Sequence, residues 1–237
     1  MDASENAILA ALSADERAML RRESRAVELK LGDVLFEAGD RVEAVTWVEQ
    51  GLLSVVSYTD EGKSVETTMV GREGAGGLIE ACGSGVTFLT VLIQLEGRGW
   101  RTPAAVCRDL AEHSPRFRDL VWRYAEAMFA EARQSVVCQA AHGVEARCAR
   151  WLLESHDRGC VGPVLHLTRE YLAGMLGVQR TTVSTVAGAL ERRGLIRQSR
   201  GVFELVDIDG LEATACDCRR AIREHRDRMG LATPCDR

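Results

Sequence analysis

The sequence predicts an α+β chain: a roll of short strands, then one long helix, then a pair of short helices followed by a small β-wing. Three observations carry this. Residues 27–101 are short β-like runs broken by polar and glycine turns. An apolar stripe at helical spacing begins near Pro115. The stretch from Thr168 to Gly194, TREYLAGMLGVQRTTVSTVAGALERRG, reads as two helices joined by a tight turn. The expected boundaries are 1–113 for an N-terminal helix and the roll, 114–142 for the central helix, and 143–237 for the helical hairpin, its wing and a C-terminal helix.

In the roll, Gly32-Asp33 and Gly39-Asp40 are turns around Val34-Leu35-Phe36. Val45–Gly51, Leu53–Tyr58 and Val65–Val70 follow as strands, the last two joined by Asp60-Glu61-Gly62-Lys63, and Thr87–Leu95 supplies another. Many short strands with polar turns form all-β rolls or barrels. Helix returns at Pro103-Ala104-Ala105-Val106, since proline suits a first turn. From Pro115, residues Phe117, Leu120/Val121, Tyr124 and Ala127/Met128 make one apolar stripe. That stripe fits either its own roll or the same helix of a second chain; the second is expected where one reading helix per chain must act in pairs. Val144–His156 is a further helix, ended by Asp157-Arg158-Gly159.

In the hairpin, Thr168 is a good N-cap and Glu170 a favourable first-turn anion. Gly177 suits the left-handed residue that ends the first helix, with Val178 tucked beneath. In the second helix Val183, Val186, Ala187 and Leu190 fall at i, i+3, i+4 and i+7 and must be buried. Arg180, Thr181, Ser184, Thr185 and Gly188 are left outside. A helix fits the DNA major groove, where arginine pairs the two acceptors of guanine and a threonine methyl meets that of thymine. Residues 195–198 and 202–205 read as strands around the turn Ser199-Arg200-Gly201, completing a winged helix-turn-helix with Arg200 placed to neutralise a phosphate. The expected DNA-contacting set is Thr168, Arg169, Gln179, Arg180, Thr181, Thr182, Ser184, Thr185 and Arg200.

The net charge of −5 alone argues against a nucleic-acid partner. Its distribution does not: residues 1–142 hold 15 basic and 22 acidic side chains, while 143–206 hold 9 basic and 6 acidic. An acidic body with one mildly basic module fits a protein that touches DNA through that module. No run of 18 apolar residues occurs, and the acidic N-terminus is unlike a signal peptide, so a cytoplasmic chain without membrane contact is expected. The eight cysteines are then expected to be mostly reduced. No nucleophile–base pair or metal triad is evident, and the Gly71–Gly77 run lacks the lysine and flanking helix of a phosphate loop, so no enzyme is expected.

This order of parts resembles the Crp/Fnr family of bacterial transcription regulators over nearly the whole chain. The glycine-spaced roll, the long helix after Pro115 and LTREYLAGMLGVQRTTVS carry the resemblance. It implies a cyclic-nucleotide-binding-like sensory β-roll, a central dimerisation helix, a homodimer on a roughly palindromic site, and contact with RNA polymerase. Several departures bear on the signal. The nucleotide-binding branch carries Gly-Glu-Leu and then an Arg-Ser/Thr pair; here Gly76-Gly77-Leu78 stands there, and no basic residue lies between Arg72 and Arg98. A cyclic phosphate would be buried without counter-charge, so cyclic AMP is not expected. The first cysteine is Cys82 and the first histidine His113, so the N-terminal iron–sulfur cluster and a roll haem ligand are missing too. Arg72, Gly76, Gly77, Cys82 and Thr87 mark the region of the roll where a ligand would sit, with no cofactor assigned and the effector open. In the reading helix, Arg180-Thr181-Thr182-Val183-Ser184-Thr185 keeps the family's first arginine but replaces its glutamate and second arginine by threonines, implying an altered half-site.

Two alternatives remain: a regulator with a vestigial, ligand-free roll, and a thiol- or metal-responsive one using Cys216, Cys218 and Cys235. Leu211, Ala215, Cys218, Ile222, His225 and Met229 suggest a single packed helix after Asp209. Residues two apart then sit about 200° apart, leaving Cys218 packed and Cys216 exposed. His142, His156 and His166 show no ligand spacing.

Overall fold

The computed structural model describes residues 6–230. Helices α1 (Ala7–Ala10) and α2 (Ala14–Glu23) precede strands β1 (Arg25–Leu29), β2 (Val34–Phe36), β3 (Ala44–Tyr58), β4 (Ser64–Val70) and β5 (Ala75–Gly76). Then come α3 (Leu78–Cys82), β6 (Thr90–Pro103), α4 (Ala104–His113), α5 (Pro115–Ala141) and α6 (Val144–Gly159). The C-terminal part holds β7 (Val164–His166), α7 (Arg169–Leu176), α8 (Arg180–Arg192), β8 (Ile196–Ser199), β9 (Val202–Leu205), α9 (Ile208–Thr214) and α10 (Cys218–Arg228).

The roll is an antiparallel sheet of order β1-β6-β3-β4, with β2 on β6 and β5 on β3. Sequence predicts two strands across Val45–Tyr58, but β3 runs through as one. Gly51 takes φ +96 and its pairing with β6 shifts register there, so the chain bulges and continues. The apolar run Leu52-Leu53-Ser54-Val55-Val56 is explained by burial on both faces. Leu53 and Val55 point into the roll with Trp47, Ile93 and Phe117. Leu52 and Val56 instead join Trp151, Leu172, Val183 and Leu190 in a second core. The C-terminal module is thus packed directly on the outer face of the roll.

Two buried ionisable groups cross this junction. Arg158, at the end of α6, is 1% exposed. It donates to Glu131 of α5 at 2.7 Å, to Glu73 at 2.9 Å, and to the Met69 carbonyl. Glu154 lies 3.4 Å away. Burial opposes ionisation of Glu73, but the Arg158 and Arg226 charges outweigh it and hold its carboxyl below the usual range.

Glu66 of β4 accepts from the Ser54 hydroxyl and, at 2.8 Å, from the Trp151 indole. Burial pushes its carboxyl up to about 8, despite those donors. A group that holds its proton more tightly when folded stabilises the fold at low pH, and that contribution is lost as pH rises between the ordinary carboxylate value and about 8. Chemical denaturation from pH 5 to 8 is therefore expected to show stability falling as pH rises, and Glu66→Gln to flatten that slope. An unchanged slope in the variant would place the titration elsewhere.

The central helix corrects one expectation. Phe117, Leu120, Val121, Tyr124 and Ala127 are buried in the roll core, with Met128 packed against it, so this stripe serves the chain's own interior. Tyr124 fixes it further, its hydroxyl donating to the Ala75 carbonyl at 3.1 Å. A different stripe of α5 faces outward: Trp122 is 67% exposed, Phe129 58% and Val136 69%.

Candidate nucleic-acid interface

The helical hairpin forms as its local chemistry demands. The Thr168 hydroxyl accepts the Tyr171 amide at 3.1 Å and caps α7. Gly177 adopts φ +63, a conformation that strains residues with a Cβ, and a Cβ there would also lie 2.9 Å from Val65. The Val178 amide then closes on the Ala173 carbonyl at 3.0 Å. Val183, Ala187 and Leu190 of α8 are fully buried.

The opposite side of α8 is open. Gln179, Arg180, Thr181 and Thr185 are exposed; Thr182, Ser184 and Gly188 are half-buried. Ser184 and Thr185 each donate to a carbonyl one turn back, of Arg180 and Thr181, both at 3.1 Å. Their hydroxyl protons are therefore engaged, and toward a groove they present lone pairs and, at Thr185, a methyl. Arg180 lies 3.8 Å from Glu170, but both side chains are well exposed, and such pairs contribute about 0–1 kcal/mol. Arg180 is thus free to swing to another acceptor.

The wing is a tight hairpin in which Ser199 pairs Val202, with Arg200 exposed at the tip and Gly201 at φ +76. β7 adds a third strand on β9. Arg197 of β8 is tied 2.7 Å from Glu204 across the hairpin. Exposed Arg169 donates to Gln198 at 3.0 Å, and Gln198 is itself held by Glu191, so the wing orients the start of α7.

Within the roll, Arg72, Gly76, Gly77 and Thr87 are all buried and Cys82 is half-buried. The space beside the glycines is filled. A Cβ at Gly76 would meet Leu53 at 2.9 Å, and one at Gly77 would meet Val42 at 2.8 Å and Phe36 at 3.0 Å. The Thr87 hydroxyl both donates to the Leu89 carbonyl and accepts its amide. Burial pushes the Cys82 thiol up to about 11, which makes it a poor nucleophile at neutral pH.

The C-terminal cysteines depart from expectation. The helix predicted after Asp209 is broken at Ala215-Cys216-Asp217, between α9 and α10. Cys216 is consequently turned inward and only 7% exposed, beside Cys218 at 1% and Cys138 of α5 at 1%. Cys235 lies outside the described residues. The Cys138 and Cys216 sulfurs are 3.4 Å apart. His142, for which spacing gave no ligand role, sits with Nε2 3.3 Å from Asp217. Cys138 and His142 were missed because their neighbours lie more than 70 residues away in sequence, and only the docking of α10 on α5 brings them together.

A roll, a long helix and a winged helix-turn-helix with an outward polar face define a DNA-binding transcription regulator, not an enzyme. Residues 146–214 match the Crp-like helix-turn-helix domain. The transcriptional regulator SdrP of Thermus thermophilus is 28% identical over 204 residues, spanning 80% of this chain and 93% of its own length. Among solved structures, FixK2 of Bradyrhizobium japonicum superposes with TM-score 0.68 at 16% identity, covering 81% of this chain and 98% of that one. A regulator of the Crp/Fnr family from Eubacterium rectale superposes at 0.66 with 19% identity, covering 86% and 94%. These structures establish the fold. The chain is thus a DNA-binding transcription regulator with a Crp-like helix-turn-helix domain, and it is similar to regulators of the Crp/Fnr family. Among the described residues, no helix is long and apolar enough to cross a membrane.

Proposed function

We propose that this regulator acts in the cytoplasm as a homodimer, presenting two copies of α8 to a roughly palindromic duplex. The observation that carries this is the open polar side of α8 on a helix whose other side is fully buried. Arg180 reads a guanine edge, with Thr181, Thr182, Ser184 and Thr185 contacting neighbouring bases. Gln179, Thr168, Arg169 and the wing-tip Arg200 contact the backbone and set the register. The outward stripe of Trp122, Phe129 and Val136 joins the two chains, its seven-residue spacing being that of a coiled-coil seam. RNA polymerase is the further partner that this class of regulator implies.

The packed surroundings of Gly76 and Gly77, and a buried Arg72 with no second basic residue before Arg98, support a roll that does not take cyclic AMP. The same packing favours a roll whose role is mainly structural. Selection of a randomised duplex library with the purified protein tests the site and its symmetry. Arg180→Ala is expected to relax discrimination at one symmetric pair of positions by about 1–3 kcal/mol per contact, measured by competition binding. A variant keeping full discrimination would remove Arg180 from base reading.

A further inference from the structure

Three thiols from two separate parts of the chain meet at one point. Cys138 lies near the end of α5, Cys216 in the break between α9 and α10, and Cys218 at the first position of α10. Their sulfurs all lie within 4.8 Å of one another. Three thiolates bound to one tetrahedral ion with bonds of about 2.3 Å stand about 3.8 Å apart, so the observed cluster is within a small side-chain adjustment of that geometry.

The surroundings are those of a polar site. The three cysteines form a cluster of their own, outside both large apolar cores, with Ala146 as its apolar companion among the described residues. The Gln134 amide donates to the Cys218 sulfur at 3.1 Å. His142, Asp217 and Cys218 form a second group whose ligand atoms also lie within 4.8 Å of one another, so a nitrogen donor stands beside the Cys218 thiol that the two groups share. Arg150, its side chain 11% exposed, acts electrostatically on both Cys138 and Cys216. A divalent ion held by three thiolates carries one net negative charge, and this guanidinium offsets it. A groove of about 360 Å³, lined by Cys216, Asp217 and Arg219 among others, reaches the cluster from the surface.

We propose that Cys138, Cys216 and Cys218 form a binding site for a thiophilic divalent cation, of which zinc is the first candidate, with His142 as the adjacent fourth donor. Binding forms three metal–sulfur bonds and releases the thiol protons to solvent, with no change of oxidation state. A Cys138–Cys216 disulfide is the competing chemistry, but it needs an oxidant and leaves Cys218 without a purpose. The bound ion would fasten α10, and through it the α9–α6 packing beside the reading helix, to the central helix. That regulatory consequence rests on the DNA-binding reading given above; the binding itself does not.

Full-length protein purified anaerobically without metal and titrated with cobalt(II) decides the matter. A sulfur-to-cobalt charge-transfer band and intense tetrahedral d–d bands are expected, saturating at one ion per chain and lost on adding zinc(II). Cys138→Ser and Cys216→Ser are expected to abolish the charge-transfer band, while Cys82→Ser keeps it, with circular dichroism reporting that each variant is folded. Wild-type protein without the band, a band that survives both substitutions, or thiols that yield only a disulfide would each overturn the proposal. No DNA is present in this titration, so its failure leaves the reading helix untouched, and loss of DNA binding leaves the metal result standing.

Discussion

Replacing Arg158 by methionine is expected to destabilise the protein by about 3–5 kcal/mol, the cost of leaving buried carboxylates without their partner. Glu73, Glu131 and Glu154 all converge on this one guanidinium, which is 1% exposed. They come from the roll, the central helix and α6, so the loss falls on the junction that holds the three parts together. The mechanism makes a second expectation. Without the cation, the burial that opposes ionisation of Glu73 loses its main compensation and that carboxyl holds its proton more tightly in the folded state, so Arg158→Met should regain stability as pH falls and lose it as pH rises. Adding Glu73→Gln and Glu131→Gln should likewise restore part of the loss, since removing charge from both sides of a buried pair costs less than removing one. Urea unfolding of the three proteins at pH 5 and 8 provides the measurement. A loss under about 1 kcal/mol, or one independent of pH, would mean that water replaces the guanidinium at this junction.

How far each part could be read from sequence follows from how local its causes are. The hairpin was legible because its determinants lie within a few residues of each other: the Thr168 cap, Gly177 at the turn, and the period of Val183, Ala187 and Leu190. The roll was legible as a class but not in detail. Gln50-Gly51 looks like a break, and only pairing with β6 keeps β3 continuous through it. The break at Cys216 carries no glycine or proline, so an amphipathic pattern running across it suggested one helix. The Arg158 cluster was invisible for another reason. Two of its three carboxylate partners are 27 and 85 residues distant, and an arginine near a helix end is ordinarily solvated.

The central helix shows the same limit most clearly, because α5 is apolar on two sides. Periodicity picks out the stripe containing Phe117 and Tyr124 but cannot say what that stripe packs on, and the roll claims it. The outward stripe offers the second of the large expected effects. Trp122 and Phe129 are more than half exposed, and Phe129 carries the Arg133 guanidinium 3.8 Å over its ring. Neither contributes to the chain's own core, so Trp122→Glu/Phe129→Glu should leave each chain folded. Placed at a two-fold seam, however, four added carboxylates would face one another across an apolar contact. Sedimentation is expected to change from dimer to monomer, and affinity for the full palindrome to fall by about 10²–10⁴, the gain that linking two reading helices ordinarily provides. Binding to an isolated half-site should be unchanged, which separates loss of pairing from damage to α8. A variant that remains dimeric would move the seam off this face of α5, and with it the geometry proposed for the two reading helices.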